Sequence, residues 1–240
     1  MQRSRDYSAI CFFLKKNMAR CKIFTKFARY IVMRRLINIA LSMVVAIAAT
    51  LVASCNNETD TTLTSQQSSI EKYLTGSHSP KLIPESELGT SLDEHPEYYT
   101  NWGLDIYRYI TNMYDAGRDE KPIAEIGDDL SITYTAYIFK SGKPTSKDIF
   151  ATNDAASIKL LQELGLNTEY EWSDEPKVVQ LGNDKDLFDS LSTALEGCHE
   201  GDKVEIYLTF EAAYGKHHIG MVPSKSAQMW EITINQITKR

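Results

Sequence analysis

Cysteine is scarce in this chain. Four occur in 240 residues, and only Cys55 and Cys198 fall after residue 54. That is too few for a disulfide framework, and no Cys/His pair has zinc-finger spacing. Basic charge is also short where it would matter. Residues 1–54 hold ten Lys/Arg and one Asp, whereas residues 55–240 hold sixteen Lys/Arg and thirty-one Asp/Glu. The chain therefore swings from +9 to −15 at that point. An acidic body argues against nucleic-acid binding. Internal repeats are missing as well. Only one long apolar run exists, "LINIALSMVVAIAATLVAS", with no charge from Leu36 to Ser54.

That run follows Met33-Arg34-Arg35 and ends in small residues before Cys55. A basic start, an apolar stretch and a small-residue exit describe a secretory signal over residues 33–54. A plain transmembrane helix is the alternative, since the run is long enough to span a bilayer. The ending "VASC" resembles the lipobox of bacterial lipoproteins, in which the cysteine is lipidated and becomes the first mature residue. The resemblance implies lipidation at Cys55 and a place in the bacterial cell envelope. Asn56 follows, not the Asp often read as an inner-membrane retention signal, so the outer membrane is the expected destination. With Cys55 committed to lipid, Cys198 has no partner for an intrachain disulfide. Residues 1–32 read as upstream material, an over-extended start, and are set aside.

The mature chain is long enough for one ordinary core plus attachments. "NNETDTTLTSQQSS" within residues 55–69 has almost no large apolar residue and reads as a flexible tether. Residues 70–102 begin with a short helical stretch, "IEKYLTG", and continue with prolines and acids that look irregular. From residue 103 the texture changes. "LDIYRYI" alternates and is rich in aromatics, as a strand should be. "LSITYTAYIFK" is the clearest strand, with Leu130, Ile132, Tyr134 and Ala136 on one face. Asp154 is placed to cap "AASIKLLQELG", a helix with Ile158, Leu160, Leu161 and Leu164 as its apolar stripe and Gly165 as its stop. "KVVQLG" is a short strand. "DSLSTALEG" is a short helix capped by Asp189 or Ser190, with Leu191, Ala194 and Leu195 on one face. "DKVEIYLTF" and "AQMWEITINQI" alternate over long stretches. The expectation is an α+β fold with about five strands in an antiparallel sheet, one short packed helix and one inserted helix.

Two histidine-containing motifs carry chemical promise. "AYGKHHIGMVP" puts His217 beside His218, but neighbours on an extended segment point to opposite faces and seldom hold one ion. No metal and no cofactor is expected. "CHEGD" pairs Cys198 with His199, yet sequence neighbours are rarely oriented as a thiol–imidazole couple. A small buried apolar cysteine is the better reading of Cys198.

Taken in order, "GDDLSITYTAYIFKSGK", "VVQLG" and "LFDSLSTALEGCHEGDKVEIYLTFEAAYGKHHIGMVPSKSAQMWEITINQI" resemble the FKBP-type peptidyl-prolyl cis-trans isomerases. The strongest block is Leu187 to Ile234, and the resemblance covers roughly Gly103 to Ile237 with a gap in the middle, which sets the expected domain at residues 103–240. It implies an FKBP-like antiparallel sheet wrapped on a short helix, with an insertion around residues 147–176 near the pocket. The expected partners are proline-containing segments of exported proteins. By position, the resemblance makes Tyr134, Phe188, Tyr214 and Trp230 the catalytic surroundings. Val179, Leu187, Leu191, His218, Met221 and Val222 would bind substrate, with Leu191 as the floor. The Tyr214 hydroxyl and the Phe188 backbone N–H would be the donors.

Three departures from the family pattern stand out. Thr145 and Ser146 occupy the places of a usual aromatic and an Asp. Lys177 stands where another aromatic is usual. The third is the insertion itself, which could act as a lid, a platform or a plug. Phe150 inside it is the candidate to replace the missing aromatic. Two further readings therefore stand beside a membrane-anchored isomerase. One is the same domain as a catalytically weak binding or chaperone module. The other is a structural envelope lipoprotein, against which the preserved "YGKHHIGMVP" loop speaks.

Overall fold

A computed structural model describes residues 61–183 and 188–240. The expected signal, Cys55, the start of the tether and Leu187 lie outside the described residues. Among the described residues no helix is long and apolar enough to cross a membrane.

Helix α1 occupies residues 61–72 and closes in a π turn, Tyr73–Ser77. Strands β1 (Ile83–Pro84), β2 (Tyr98–Trp102) and β3 (Ile106–Ile110) follow. Then come β4 (Asp129–Phe139), β5 (Ile149–Thr152), helix α2 (Ala155–Leu164) and β6 (Lys177–Gln180). Helix α3 (Asp189–Leu195), β7 (Lys203–Leu208) and β8 (Ala227–Thr238) complete the order. The strands form one sheet in the order β1-β2-β3-β7-β8-β4-β5, with β6 also paired to β4. Only β1–β2 is parallel among these pairings; the others are antiparallel.

Period-2 alternation builds two cores, one on each face. On the front, Leu130, Ile132 and Ala136 of β4 join Val204, Ile206 and Leu208 of β7 and Trp230, Ile232 and Ile234 of β8. They enclose Leu191, Ala194 and Leu195 of α3. The intervening residues face the back. There Tyr107, Tyr109, Phe139, Tyr207 and Met229 pack against Ile70, Tyr73 and Leu74.

Several expectations change. Among the described residues the sheet has eight strands, not about five. β1, β2 and β5 are two to five residues long, too short for a pattern of their own to show. Residues 61–69, expected as a flexible tether, are helical. The helix is held because Ile70 and Leu74 are buried on the back face. The compact unit accordingly runs from Asp60 to Arg240, and β1 and β2 extend its sheet.

Helix α2 has its expected ends. The Asp154 side chain accepts the Ser157 N–H at 2.8 Å, and Gly165 takes the left-handed conformation at φ 63°. Its stripe is narrower than expected. Ile158 and Leu161 are buried, while Leu160 and Leu164 are exposed. Helix α3 has Phe188 at its N-cap with no side-chain cap, not Asp189 or Ser190. Its C-terminal end is held by Arg108, whose guanidinium donates to the Ala194 and Glu196 carbonyls at 3.0 and 2.9 Å.

Candidate active site

Between β7 and β8 the chain makes a loop that carries Tyr214. Gly215 N–H donates to the Phe210 carbonyl at 2.8 Å, and Lys225 N–H donates to the Gly215 carbonyl at 2.9 Å. Gly215 has φ 62°, a conformation an L side chain would strain. Ile219 and Val222 exchange two backbone hydrogen bonds of 3.0 and 2.9 Å at the tip. His217 and His218 are exposed. The His218 ring is engaged with its own loop, at the Gly220 carbonyl, 2.8 Å away. Among the described residues no three His, Cys, Asp or Glu side chains gather as metal ligands.

The loop delivers Tyr214 to a nest of aromatic rings on the front face. Trp230 of β8 is the hub. The rings of Tyr134, Phe150 and Phe188 lie 5.6, 5.7 and 5.8 Å from it. Tyr214 meets Phe188 at 5.6 Å and Phe150 at 6.2 Å. Most of these contacts are edge-to-face, the favoured arrangement of ring quadrupoles. The Trp230 N–H donates to the Gln228 side-chain carbonyl at 3.0 Å, which orients the indole. The Tyr214 hydroxyl has no hydrogen-bond partner among the described residues. Burial raises the pKa of Tyr214, with the Tyr134 ring nearby adding to it. The hydroxyl is therefore a protonated, uncommitted donor at neutral pH.

Phe150 reaches this nest through a bulge. The β4–β5 ladder pairs Ala136 with Ala151 and Tyr137 with Ile149, so Phe150 is skipped. A bulge bends a strand and re-aims a side chain, and here it turns Phe150 towards Trp230. Asn153 fixes the end of β5. Its amide oxygen accepts the Tyr134 N–H at 2.6 Å, and its NH2 donates to the Ile132 and Glu175 carbonyls, both at 3.0 Å. Asn153 thereby ties the inserted segment to the strand that carries Tyr134. Sequence reasoning missed it. Farther along, the Tyr170 hydroxyl lies beside Gly220, 3.6 Å from where a Cβ would stand. The insertion thus comes close to the loop that carries Tyr214.

The structure sorts the expected site residues. Tyr134, Phe188, Tyr214 and Trp230 come together, and Met221 packs partly buried against the same core. Val179, Leu191 and Val222 are at most 2% exposed. They support the nest from within the core. His218 faces solvent. Thr145 and Ser146 belong to a local turn. There Thr145 N–H and Oγ1 donate to the Asp148 carboxylate at 2.9 and 2.7 Å, and Lys140 donates to its other oxygen at 2.7 Å. The Asp148 carboxylate is engaged in that turn.

The CHEGD motif is structural. Cys198 is fully buried, and burial pushes its thiol up to about 11. The His199 ring instead faces the Lys121 carbonyl at 3.1 Å. A separate cavity of about 320 Å³ lies on the back face, lined by Thr133, Thr135, Asp154, Ser157, Glu205 and Glu231 among others. Its hydroxyls and carboxylates suit polar contacts and not a dry prolyl pocket.

Residues 121–235 match the family model of the FKBP-type peptidyl-prolyl cis-trans isomerases. The matched segment is similar to that family over somewhat less than half of the chain. The solved structures that are similar include two plant proteins. The N-terminal domain of FKBP42 from Arabidopsis thaliana is 12% identical with a TM-score of 0.41, over 66% of this chain and 99% of that one. The three FKBP domains of wheat FKBP73 give 14% identity and a TM-score of 0.43, over 60% of this chain and 52% of that one. No curated protein is significantly similar in sequence.

Proposed function

We propose that this protein is a prolyl isomerase that acts at the aromatic nest around Trp230. The carrying observation is the unpartnered Tyr214 hydroxyl held against the apolar rings of Phe150 and Phe188. Rotation about an X-Pro bond is opposed by amide resonance, with a barrier of about 18–20 kcal/mol for a peptide bond. No nucleophile or acid is needed. A catalyst must bind the twisted amide better than either planar form. Twisting removes charge separation, so an apolar surface favours it, while a fixed donor holds a flanking carbonyl. Trp230, Phe150, Phe188 and Tyr134 supply the surface, and Tyr214 the donor.

The test is isomerisation of a short X-Pro peptide by the full chain, compared with Tyr214→Phe and Trp230→Leu. Tyr214→Phe removes one hydrogen bond worth about 0.5–1.5 kcal/mol, so kcat/KM is expected to fall roughly three- to tenfold. Trp230→Leu removes the hub and is expected to cost more. A folded wild-type protein that gives no acceleration overturns the reading. The loss of the family's usual Asp at Thr145 and Ser146 would then favour a module that binds proline-containing segments without turning them over.

The "VASC" motif and the charge reversal beside it support a lipid anchor at Cys55. The proposed setting is the bacterial cell envelope, at the outer membrane, with exported polypeptides as substrates. Metabolic labelling with a radioactive fatty acid is expected to mark the wild-type protein and not Cys55→Ser. Equal labelling of both rejects the anchor.

A further inference from the structure

The loop that carries Tyr214 is closed by a residue from outside the segment that defines the family. Gln66 lies on α1, and its side-chain amide spans both ends of the loop. Its oxygen accepts the Phe210 N–H at 2.8 Å. Its NH2 donates to the Lys225 carbonyl at 2.9 Å. Inside the loop, Gly215 donates to Phe210 and accepts from Lys225. These four bonds form a closed circuit: Gln66, Phe210, Gly215, Lys225 and back to Gln66. Every donor in it points the same way round, and the Gln66 amide is the one group that both donates and accepts through a single conjugated unit.

Three observations mark the circuit as a device and not an incidental contact. Gly215 is covalently next to Tyr214, so the circuit sets where that ring stands over Phe188. Lys225 is held at φ 57°, a left-handed conformation that a non-glycine residue adopts only when its surroundings impose it. A second tie reinforces the first. The Gln67 amide donates to Asp105 Oδ1 at 3.3 Å, and the same oxygen accepts from Thr209 Oγ1 at 2.7 Å, one residue before Phe210.

We propose that Gln66 is a positioning residue for Tyr214, which makes α1 a working part of the prolyl site. The inference rests on the isomerase reading above. Without the amide, the loop loses a bond at each end, and Tyr214 loses its fixed place for meeting a twisted amide.

The experiment is a double-mutant cycle on the full chain between Gln66→Ala and Tyr214→Phe, measured where circular dichroism shows each variant folded. Gln66→Ala is expected to lower kcat/KM about fivefold in the wild-type background, mainly through kcat, and less than about twofold beside Tyr214→Phe. Equal losses in both backgrounds, or no loss, overturn the proposal. Gln66→Glu gives a second readout and serves if the alanine variant does not fold. Its carboxylate keeps the acceptor for Phe210 but cannot donate to Lys225 until it is protonated. Activity relative to wild type is therefore expected to recover as pH falls towards the carboxyl range, about 4.3 for a free Glu. A flat ratio counts against the circuit. If the wild-type protein itself does not accelerate isomerisation, the isomerase reading fails separately. Amide exchange at Phe210, Gly215 and Lys225 then decides: faster exchange in the variants keeps the circuit, and unchanged exchange removes it.

Discussion

His78 sits where the π turn after α1 meets β7. Its Nε2 lies 2.9 Å from Glu205 Oε2, between the edge-on rings of Tyr73 and Tyr109. Burial alone would pull its pKa down. The Glu205 carboxylate and the Pro80 carbonyl outweigh that, Lys143 opposes weakly, and the net shift is upward. A raised folded pKa contributes stability that is complete below the unfolded value of about 6.5 and is lost as pH rises through the folded value. Wild type is therefore expected to lose unfolding free energy on the alkaline side of about pH 6.5, and His78→Gln to lose that component of the slope. Urea titrations across this range would show it; parallel pH profiles for the two proteins would refute the link. Cys198 is the contrasting case at this scale. The sequence already suggested a small buried cysteine, and complete burial holds its thiol pKa up although Arg108, 3.6 Å away, pulls the other way.

Between elements, the Arg118–Asp202 pair is the tightest link. Asp202 is fully buried and precedes β7. It accepts from Arg118 Nε and Nη2, both at 2.7 Å, and from the His199 N–H at 2.8 Å. The bidentate geometry ties the 3-10 turn Arg118–Glu120 to the sheet. Breaking such a pair leaves a buried charge uncompensated, so Asp202→Asn is expected to cost about 3–5 kcal/mol. A denaturation midpoint within error of wild type would show that Arg118 finds another partner. The elements themselves were unequally legible. α2 announced both its ends through Asp154 and Gly165, because caps are local chemistry. Its stripe was overread, since a ten-residue helix at a sheet edge has only a narrow face to bury. Phe150 could not be placed from its sequence position, because a bulge breaks the alternation from which facing is inferred.

The whole molecule is larger than the segment that matches the family. α1, β1, β2 and β3 lie outside residues 121–235, yet the back-face core depends on α1. Leu74 is fully buried there, with Tyr107 and Tyr207 in the same cluster. Leu74→Ala is expected to destabilise the protein by about 2–5 kcal/mol, the cost of a core Leu deletion. Calorimetry of the full chain tests this; an unchanged melting temperature would mean α1 is detachable. A sheet with apolar residues on both faces needs a cover on each. Here α3 covers one and α1 the other.

Alternation in β4, β7 and β8, the ends of α2, and the order from the β4 strand to the "AYGKHHIGMVP" loop were written in the sequence. The alternation and the helix ends depend on residues within about a dozen positions of one another, and the order of the motifs is read directly along the chain. The gathering of Phe150 with Trp230, the Asn153 tie to Tyr134 and the Gln66 circuit belonged to the tertiary structure. Gln66 reaches Phe210 and Lys225 across 144 and 159 residues. A polar glutamine in a polar stretch looks the same whether it faces water or closes a loop. Only the packing of α1 on the sheet, driven by Ile70 and Leu74, brings that amide within hydrogen-bond reach.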